Sequence, residues 1–413
     1  MIFFRVSQNI NIKIADGTLI NYLKFKEPSN MENETLFVTT DDDFKDINNI
    51  FERVDKDKYF TRTLNKEKIK VLENFPIELG IINVDEDNNI YQDIKAVDIY
   101  KQLKNIKKDE ISIAIIGGVG VSISEIISSC TSLRILHKKL KEVYKNIKFD
   151  IFINASSNNF YTRDKEIYQT QKYINNIIPL SLNSKKLCEY DYFIDNSQTI
   201  KTLGLNSLNS VDAWLYKFGI NYKKIDSYEK YNEINLSDYK VPETIKNRLK
   251  EAKSKGKLLL FHPYSANINK SIPQAIANEL IKELLLKAED YMIISTLAID
   301  AKIKDDRFLD FTKESKNISD FIYIVSNMDK IITADTSTYH ISDAFMIPTI
   351  TIFTDKEYEK KIKYYKYIKP IYIENKTKNL SKFVYENENL TLNKLKAWRK
   401  LKVEKIIKLL DTF

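Results

Sequence analysis

Glycine is scarce in this chain, with eight residues among 413, and three of the eight stand together at Gly117, Gly118 and Gly120 in "IIGGVGVSISEI". Cysteine is scarcer still. Cys130 and Cys188 are the only two, which excludes a disulfide framework and any zinc or iron–sulfur site built from several thiolates. Both read as buried structural thiols rather than a redox pair. No run approaches the ~18–20 uninterrupted apolar residues that a membrane span requires. The N-terminal "MIFFRVSQNINIKI" lacks the apolar core and small-residue cleavage site of a secretory leader, so the expectation is a cytoplasmic protein. Histidine occurs only three times, which makes the position of each one informative.

What the chain does have is length, charge and alternation. At 413 residues it exceeds what one hydrophobic core organises, and two or three domains are expected. The formal charge of +8 comes from 65 basic residues interleaved with 57 acidic ones. That is a bias toward anionic partners, with nucleotide sugars and anionic lipid surfaces both open. Nucleic acid is disfavoured, because no basic stripe interleaved with aromatics accompanies the 25 tyrosines.

Residues 1–108 read as a β-rich accessory domain. Ile10, Ile12 and Ile14 alternate with polar residues before Asp16-Gly17, the pattern of a hairpin, and a second hairpin is expected around "IINVDEDNNIYQDI". The acids of that segment do not make a calcium loop, since Ile90 stands where the EF-hand needs glycine and Ala96 where it needs glutamate. "TTDDDF", Thr39 to Phe44, reads as an acidic turn rather than a metal site. From 109 to 242 the rhythm becomes apolar strand, loop and helix, through "ISIAII", "EIISSCTSLRILHKKLKEVY", "FDIFINAS" and "YDYFIDN". After a lysine-rich segment it resumes over 257–385 with "LLLFHPYS", "IPQAIANELIKELLLKA", "YMIIST", "IYIVSNMDKIITAD" and "PTITIFT". Such alternation makes parallel sheets covered by helices, with ligands beyond the carboxyl ends of the strands. Residues 386–413 form an amphipathic helix with Leu395, Trp398, Val403, Ile406, Leu409, Leu410 and Phe413 on one face. It is expected to pack back on the body, peripheral association with an anionic membrane being the other use of such a face.

The glycine cluster invites a dinucleotide reading and fails it. Ile123 occupies the third position of G-x-G-x-x-G, and the acid expected about twenty residues on is missing from "LHKKLKEVYKNIKF". The second α/β segment is richer. "ITADTSTYHISDAF" delivers Asp335, Thr336, Ser337 and Thr338 to the end of a strand where a helix starts, with His340 in its first turn. Unpaired amides and the positive end of the helix dipole make such a junction receptive to anions. Upstream, "LLLFHPYSANINKSIP" places Ser265 and Lys270 after a buried strand, with Pro273 opening the next helix. A lysine opposite an anion-receptive helix start suits a diphosphate. Taken singly, each feature also has an ordinary structural role as cap, core histidine or solvated lysine.

Taken in order, these residues resemble the ADP-heptose-dependent heptosyltransferases, inverting glycosyltransferases of the GT-B type. The family pattern D-[ST]-G-x-x-H, helix, P-x-x-x-x-F-G is matched by Asp335, Thr336, His340, Pro348 and Phe353, with Ser337 and Thr354 in place of the two glycines. Ser265, Lys270 and Pro273 match the upstream pattern, with Ile272 for its tryptophan. The family's Gly-Asp pair falls on Ser124 and Glu125, counted back from Leu133. An N-terminal domain of about a hundred residues is similar to that of the autotransporter heptosyltransferases, whose iron-binding cysteines are missing here.

The resemblance implies an α/β fold of two Rossmann-like parallel-sheet domains facing across a cleft. It implies an ADP-linked sugar as donor substrate, held by Ser265, Lys270, Asp335, Thr336, Ser337, Thr338 and His340, with no metal and no cofactor. Glu125 would be the general base, in an acceptor-side loop with Gly117, Gly118, Gly120 and Ser124. The acceptor would be a glycan or lipopolysaccharide core, or a protein Ser or Thr, reached from the cytoplasm or the inner membrane's periphery. A nucleotide-binding scaffold that has lost activity is the competing reading, since the Glu and the two replaced glycines fit degeneration as well as divergence.

Overall fold

A computed structural model describes residues 2–27, 33–40, 51–54, 99–156, 158–196, 207–299, 303–374 and 397–413, and the backbone of 83–84 and 90–91. The chain divides into two compact units, Met1–Lys230 and Tyr231–Phe413.

The first unit opens with short antiparallel pieces. β1 (Ile2–Arg5), β4 (Phe37–Thr39) and β5 (Glu52–Val54) form one sheet in the order β4-β1-β5. β2 (Ile10–Lys13) and β3 (Leu19–Tyr22) form the expected hairpin, with Gly17 at φ 87° and the Asp16 carboxylate accepting from Thr18 N–H at 3.0 Å. β6 (Asn83–Val84) and β7 (Ile90–Tyr91) form the second, with the intervening acids and "DDD" outside the described residues. Four parallel strands follow, β8 (Glu110–Ile116), β9 (Asn146–Ile153), β10 (Asn176–Pro179) and β11 (Tyr192–Asp195), in the order β10-β9-β8-β11.

One core joins the two parts, because Phe3, Leu36, Val38 and Val54 pack with Ala114, Ile116, Phe152, Leu182 and Phe193. The long helix Ile123–Leu140 buries a run of small residues, Ser128 to Ser132. Helix Ser210–Lys217 approaches that run closely enough for Ser129 Oγ and Ser210 Oγ to lie 2.9 Å apart. Cys130 is within the run, buried, its thiol pushed up to about 12 by burial, while Cys188 is half-buried, and neither is in a disulfide.

The second unit is one six-stranded parallel sheet, β12 (Lys257–His262), β13 (Tyr291–Ser295), β14 (Phe308–Asp310), β15 (Lys330–Ala334), β16 (Thr349–Phe353) and β17 (Ile368–Tyr372). Its order is β14-β13-β12-β15-β16-β17, the doubly wound arrangement in which the sheet reverses direction between its first and fourth strands. The apolar segment before β15 is a helix, Ile318–Ser326. At the end of the chain the regular helix is Val403–Leu410, and Trp398, Leu401, Val403, Ile406 and Leu410 are buried in the core of this sheet. Lys330 Nζ donates to the carbonyl of Leu410 at 2.6 Å, a cation placed at the negative end of the helix. Among the described residues no helix is long and apolar enough to cross a membrane.

Candidate functional site

The reversal of strand order in the second sheet puts the loops after β12 and β15 beside each other, the position where open parallel sheets bind ligands. Lys270 is on the first loop and Asp335 on the second, and Lys270 Nζ lies 3.1 Å from Asp335 Oδ2. The loop that carries Lys270 is braced internally. Ser271 Oγ accepts from Ser265 N–H at 2.9 Å, and Ser265 Oγ accepts from Asn267 N–H at 3.3 Å. Ile272, where the resemblance asks for tryptophan, anchors the loop in the core. Thr354, in place of a glycine, donates from its hydroxyl to the carbonyl of Asn269 at 3.0 Å.

Asp335 is 4 % exposed and holds more than one cation. Lys361, from the short helix Tyr358–Lys361, lies 3.0 Å from the same oxygen and 2.8 Å from Asp355 Oδ2. Burial alone would lower Lys361, but Asp335 and Asp355 more than offset it and hold the ammonium above its ordinary value. Asp335 is thus engaged chiefly by cations, with the buried Tyr339 hydroxyl as a further partner. Two lysines balance two carboxylates. The remaining positive potential comes from helix Ser337–Ala344, whose N-cap Thr336 accepts from Thr338 N–H at 3.0 Å and donates to Thr338 Oγ1 at 2.8 Å. Ser337 is half-buried and Thr338 is buried.

His340 lies beneath this surface rather than on it. It is buried, its Nδ1 lies 2.7 Å from the Tyr365 hydroxyl, and burial holds its ring down to about 3, with Lys361 and Lys270 acting in the same direction. Asn232 donates a side-chain hydrogen bond to the Tyr365 oxygen and another to the carbonyl of His340. Burial keeps the imidazole neutral, with its Nδ1 paired to the Tyr365 hydroxyl. Lys361, Asp355, Tyr365 and Asn232 are missed by sequence reasoning. Lys361 sits in "KEYEKKIKYYKY", where nothing distinguishes one lysine from the next.

The first sheet reverses between β8 and β11, and the glycine loop follows β8. Gly117 has φ 85°, a conformation that costs a side chain but not glycine. A Cβ on Gly118 would stand 2.7 Å from Tyr168 Oη, and one on Gly120 would stand 2.7 Å from Glu125 Cβ and 2.8 Å from the Glu125 carbonyl carbon. Each glycine thus has its own reason.

Glu125 is exposed, and its Oε2 accepts from Val121 N–H at 3.0 Å while its own amide donates to Ser122 Oγ at 3.3 Å. Ser122 and Glu125 begin the helix in the manner of a capping box, a signal legible as S-x-x-E in "SISE". Ser124 is half-buried, its hydroxyl 3.2 Å from that of Ser122. At the end of β11, Asn196 donates its N–H to Ile116 at 2.8 Å. Its side-chain oxygen and nitrogen are both buried with no hydrogen-bond partner among the described residues. Among those residues no group of three or more His, Cys, Asp or Glu side chains could hold a metal.

By sequence, no protein family and no curated protein matches the chain. Solved structures do. A glycosyl transferase family 9 structure from Veillonella parvula aligns with a TM-score of 0.50 at 12% identity, over 75% of this chain and 98% of its own. ADP-heptose LPS heptosyltransferase II of E. coli aligns at 0.49 and 13%, over 73% and 99%. The iron-containing heptosyltransferase TibC, in complex with ADP-D-beta-D-heptose, aligns at 0.43 and 9%, over 74% and 76%. At these identities the likeness to the Veillonella structure is one of fold: two Rossmann-like parallel sheets of the GT-B type, with an antiparallel N-terminal region besides.

Proposed function

We propose that the chain is an inverting glycosyltransferase that takes a sugar, heptose-like, from an ADP-linked donor and transfers it to a hydroxyl. The observation that carries this reading is the Lys270–Asp335 pair at the reversal point of the second sheet, backed by Lys361 and a helix start. The fold of the family 9 glycosyl transferase supports the same reading, as does the motif resemblance around Asp335.

When a diphosphate arrives, Lys270 turns from Asp335 toward it while Lys361 keeps the carboxylate compensated, and the Ser337 amide at the positive end of the helix faces the same charge. The negative charge that develops on the leaving nucleotide is then stabilised where it forms. A lysine and a helix-start amide do this work, so the reaction proposed needs no divalent ion and proceeds in EDTA. Glu125 takes the proton of the acceptor hydroxyl as it attacks the anomeric carbon from the face opposite the nucleotide, through the carboxylate oxygen that Val121 does not hold. The acceptor class remains a glycan, a lipopolysaccharide core or a protein Ser or Thr.

One observation favours the second reading, a nucleotide-binding scaffold: the Glu125 carboxylate is already engaged in capping its helix. Binding is common to both readings and is tested first. Calorimetric titration with ADP-, UDP-, GDP- and CMP-linked sugars is expected to show selective binding of the ADP-linked donor. Lys270→Ala should weaken it about tenfold to a hundredfold, the range of one charge-assisted contact. A chain that binds none of the four is not a nucleotide-sugar protein of either kind.

A further inference from the structure

The glycine loop has almost no side chains by which to be held. Between Gly117 and Val121 only Val119 is buried, and Val121 is 69 % exposed. The loop is fixed through alternate backbone amides instead, each by a different element. Gly117 N–H donates to the Phe152 carbonyl of β9 at 2.8 Å. Val119 N–H donates to Tyr168 Oη at 2.9 Å, and Val121 N–H donates to Glu125 Oε2 at 3.0 Å.

The middle tie is unusual because it runs to a side chain from another helix, Tyr161–Gln169, 49 residues along the chain. Tyr168 is buried, so its ring is fixed by packing and its hydroxyl has one place to be. Gly118 is shaped to this contact, since any Cβ there would meet the same hydroxyl at 2.7 Å. The same helix also reaches the end of the loop, where Arg163 donates to the Val121 carbonyl at 3.4 Å. Arg163 is itself held by Asp164 at 2.6 Å and lies over the Phe160 ring at 4.3 Å.

We infer that Tyr168 is a positioning residue: by holding Val119 N–H it sets the path of the glycine loop, and through Val121 N–H it sets the place and orientation of the Glu125 carboxylate. A carboxylate that must meet a hydroxyl proton at hydrogen-bond distance is sensitive to shifts of this size, and a misplacement of about 1 Å costs about a hundredfold. Tyr168 touches no reacting atom and acts only through the loop. The inference rests on the proposed reading for its catalytic half alone, the structural half being independent of it.

The test uses the full chain with Tyr168→Phe, which keeps the buried ring and removes the hydroxyl. Gly118→Ala breaks the same contact from the other side. Tyr173→Phe serves as the control, because Tyr173 donates from the same region to the Cys130 carbonyl at 2.6 Å and so reports the loss of a buried hydroxyl with no tie to the loop. Amide hydrogen exchange at Val119 and Val121 is expected to quicken about tenfold or more in Tyr168→Phe and Gly118→Ala and to stay unchanged in Tyr173→Phe, the energetic equivalent of about one hydrogen bond. Transfer kcat should fall about tenfold or more in the first two with the Kd for the ADP-linked sugar unchanged, a split that general destabilisation would not produce. Unchanged exchange at both amides overturns the positioning of the loop. Quickened exchange with unchanged kcat overturns the link to Glu125. Failure of the wild-type chain to transfer any sugar counts against the proposed reaction and leaves the exchange result to decide the loop.

Discussion

Lys361 Nζ stands 3.0 Å from Asp335 Oδ2, and this contact joins a lysine from an unremarkable basic run to the buried carboxylate at the centre of the second sheet's ligand edge. Its consequence is that Asp335 never depends on Lys270 alone. Lys270 is the more exposed of the two lysines and free to turn toward an incoming anion, while Lys361 keeps the carboxylate compensated. Removing a partner from a buried ion pair costs roughly 3–5 kcal/mol when no other remains. With Lys270 left, Lys361→Met should cost about half of that, roughly 2 kcal/mol. Lys270→Met should cost less stability and more nucleotide affinity. Melting curves of both variants, with and without ADP, separate the two roles. A Lys361→Met protein that melts with the wild type would show that the pair stabilises nothing.

The buried histidines make an acid-side prediction with a definite sign. Burial holds His262 down to about 4 and His340 to about 3, against an ordinary 6.5. Both are neutral in the native protein at pH values where the unfolded chain takes up the protons. The stability they represent is complete above pH 6.5 and is lost as pH falls toward the folded-state values. Each loses up to about 1.4 kcal/mol per pH unit in that window, so the two together remove about 3 kcal/mol between pH 6.5 and 5, and His137, lowered to about 4 by burial and the Lys141 charge, adds to the same side in both proteins compared below. Asp16, Asp191 and Asp355 do not confuse this window. Each is held below its ordinary 3.8 by hydrogen bonds and lysines that outweigh burial, so their stabilising effect is lost only nearer and below that value. Urea unfolding at pH 7.5, 6.5, 5.5 and 5 in the wild type and in a His262→Asn, His340→Asn variant measures it. Equal slopes in the two proteins would remove the histidines from the account.

How much of this could be read from the amino-acid order follows a physical line. The central strands β8, β9, β12, β13, β15 and β16 are largely buried on both faces, so they read as mainly apolar runs and are expected from sequence. Within the two parallel sheets, the strands that sequence reasoning misses, β10, β14 and β17, are all at sheet edges. Edge strands are half-exposed and short, and β17 contains Pro370, which a central strand excludes. The site divides in the same way. Asp335 and Lys270 lie at strand ends where topology concentrates ligands, so their positions carry meaning in one dimension. Lys361 and Tyr365 reach Asp335 and His340 from the segment between β16 and β17, and only the folded chain brings them there. The glycines were legible as a loop but not as three separate steric demands, which needed Tyr168 and Glu125 in place.

Glu125 admits two roles that a single substitution separates. As a cap, its carboxylate satisfies Val121 N–H and stabilises the helix start. Glutamine keeps an oxygen for that amide, so Glu125→Gln should unfold within about 0.5 kcal/mol of wild type, whereas Glu125→Ala should lose about 1 kcal/mol. As a general base the carboxylate must take a proton, which an amide cannot do, and Glu125→Gln should then lose transfer by about a hundredfold or more at undiminished nucleotide binding. Transfer that persists at the wild-type rate in Glu125→Gln would leave the cap as its whole role.

Asn196 offers the converse experiment, in which a substitution is expected to stabilise. Its amide oxygen and nitrogen are buried without a hydrogen-bond partner among the described residues, at the end of β11 next to Ile116 and the start of the glycine loop. An unsatisfied buried polar group costs about 1–3 kcal/mol, and an apolar side chain of similar shape removes that cost. Asn196→Leu should therefore raise the melting temperature. Under the proposed function, the use of so costly a side chain at this edge would be as donor and acceptor to the acceptor hydroxyl. The variant should then be more stable and slower in transfer, with acceptor KM raised and donor Kd unchanged. A lowered melting temperature would mean that the amide is already satisfied in solution, and faster or unchanged transfer would remove Asn196 from acceptor binding.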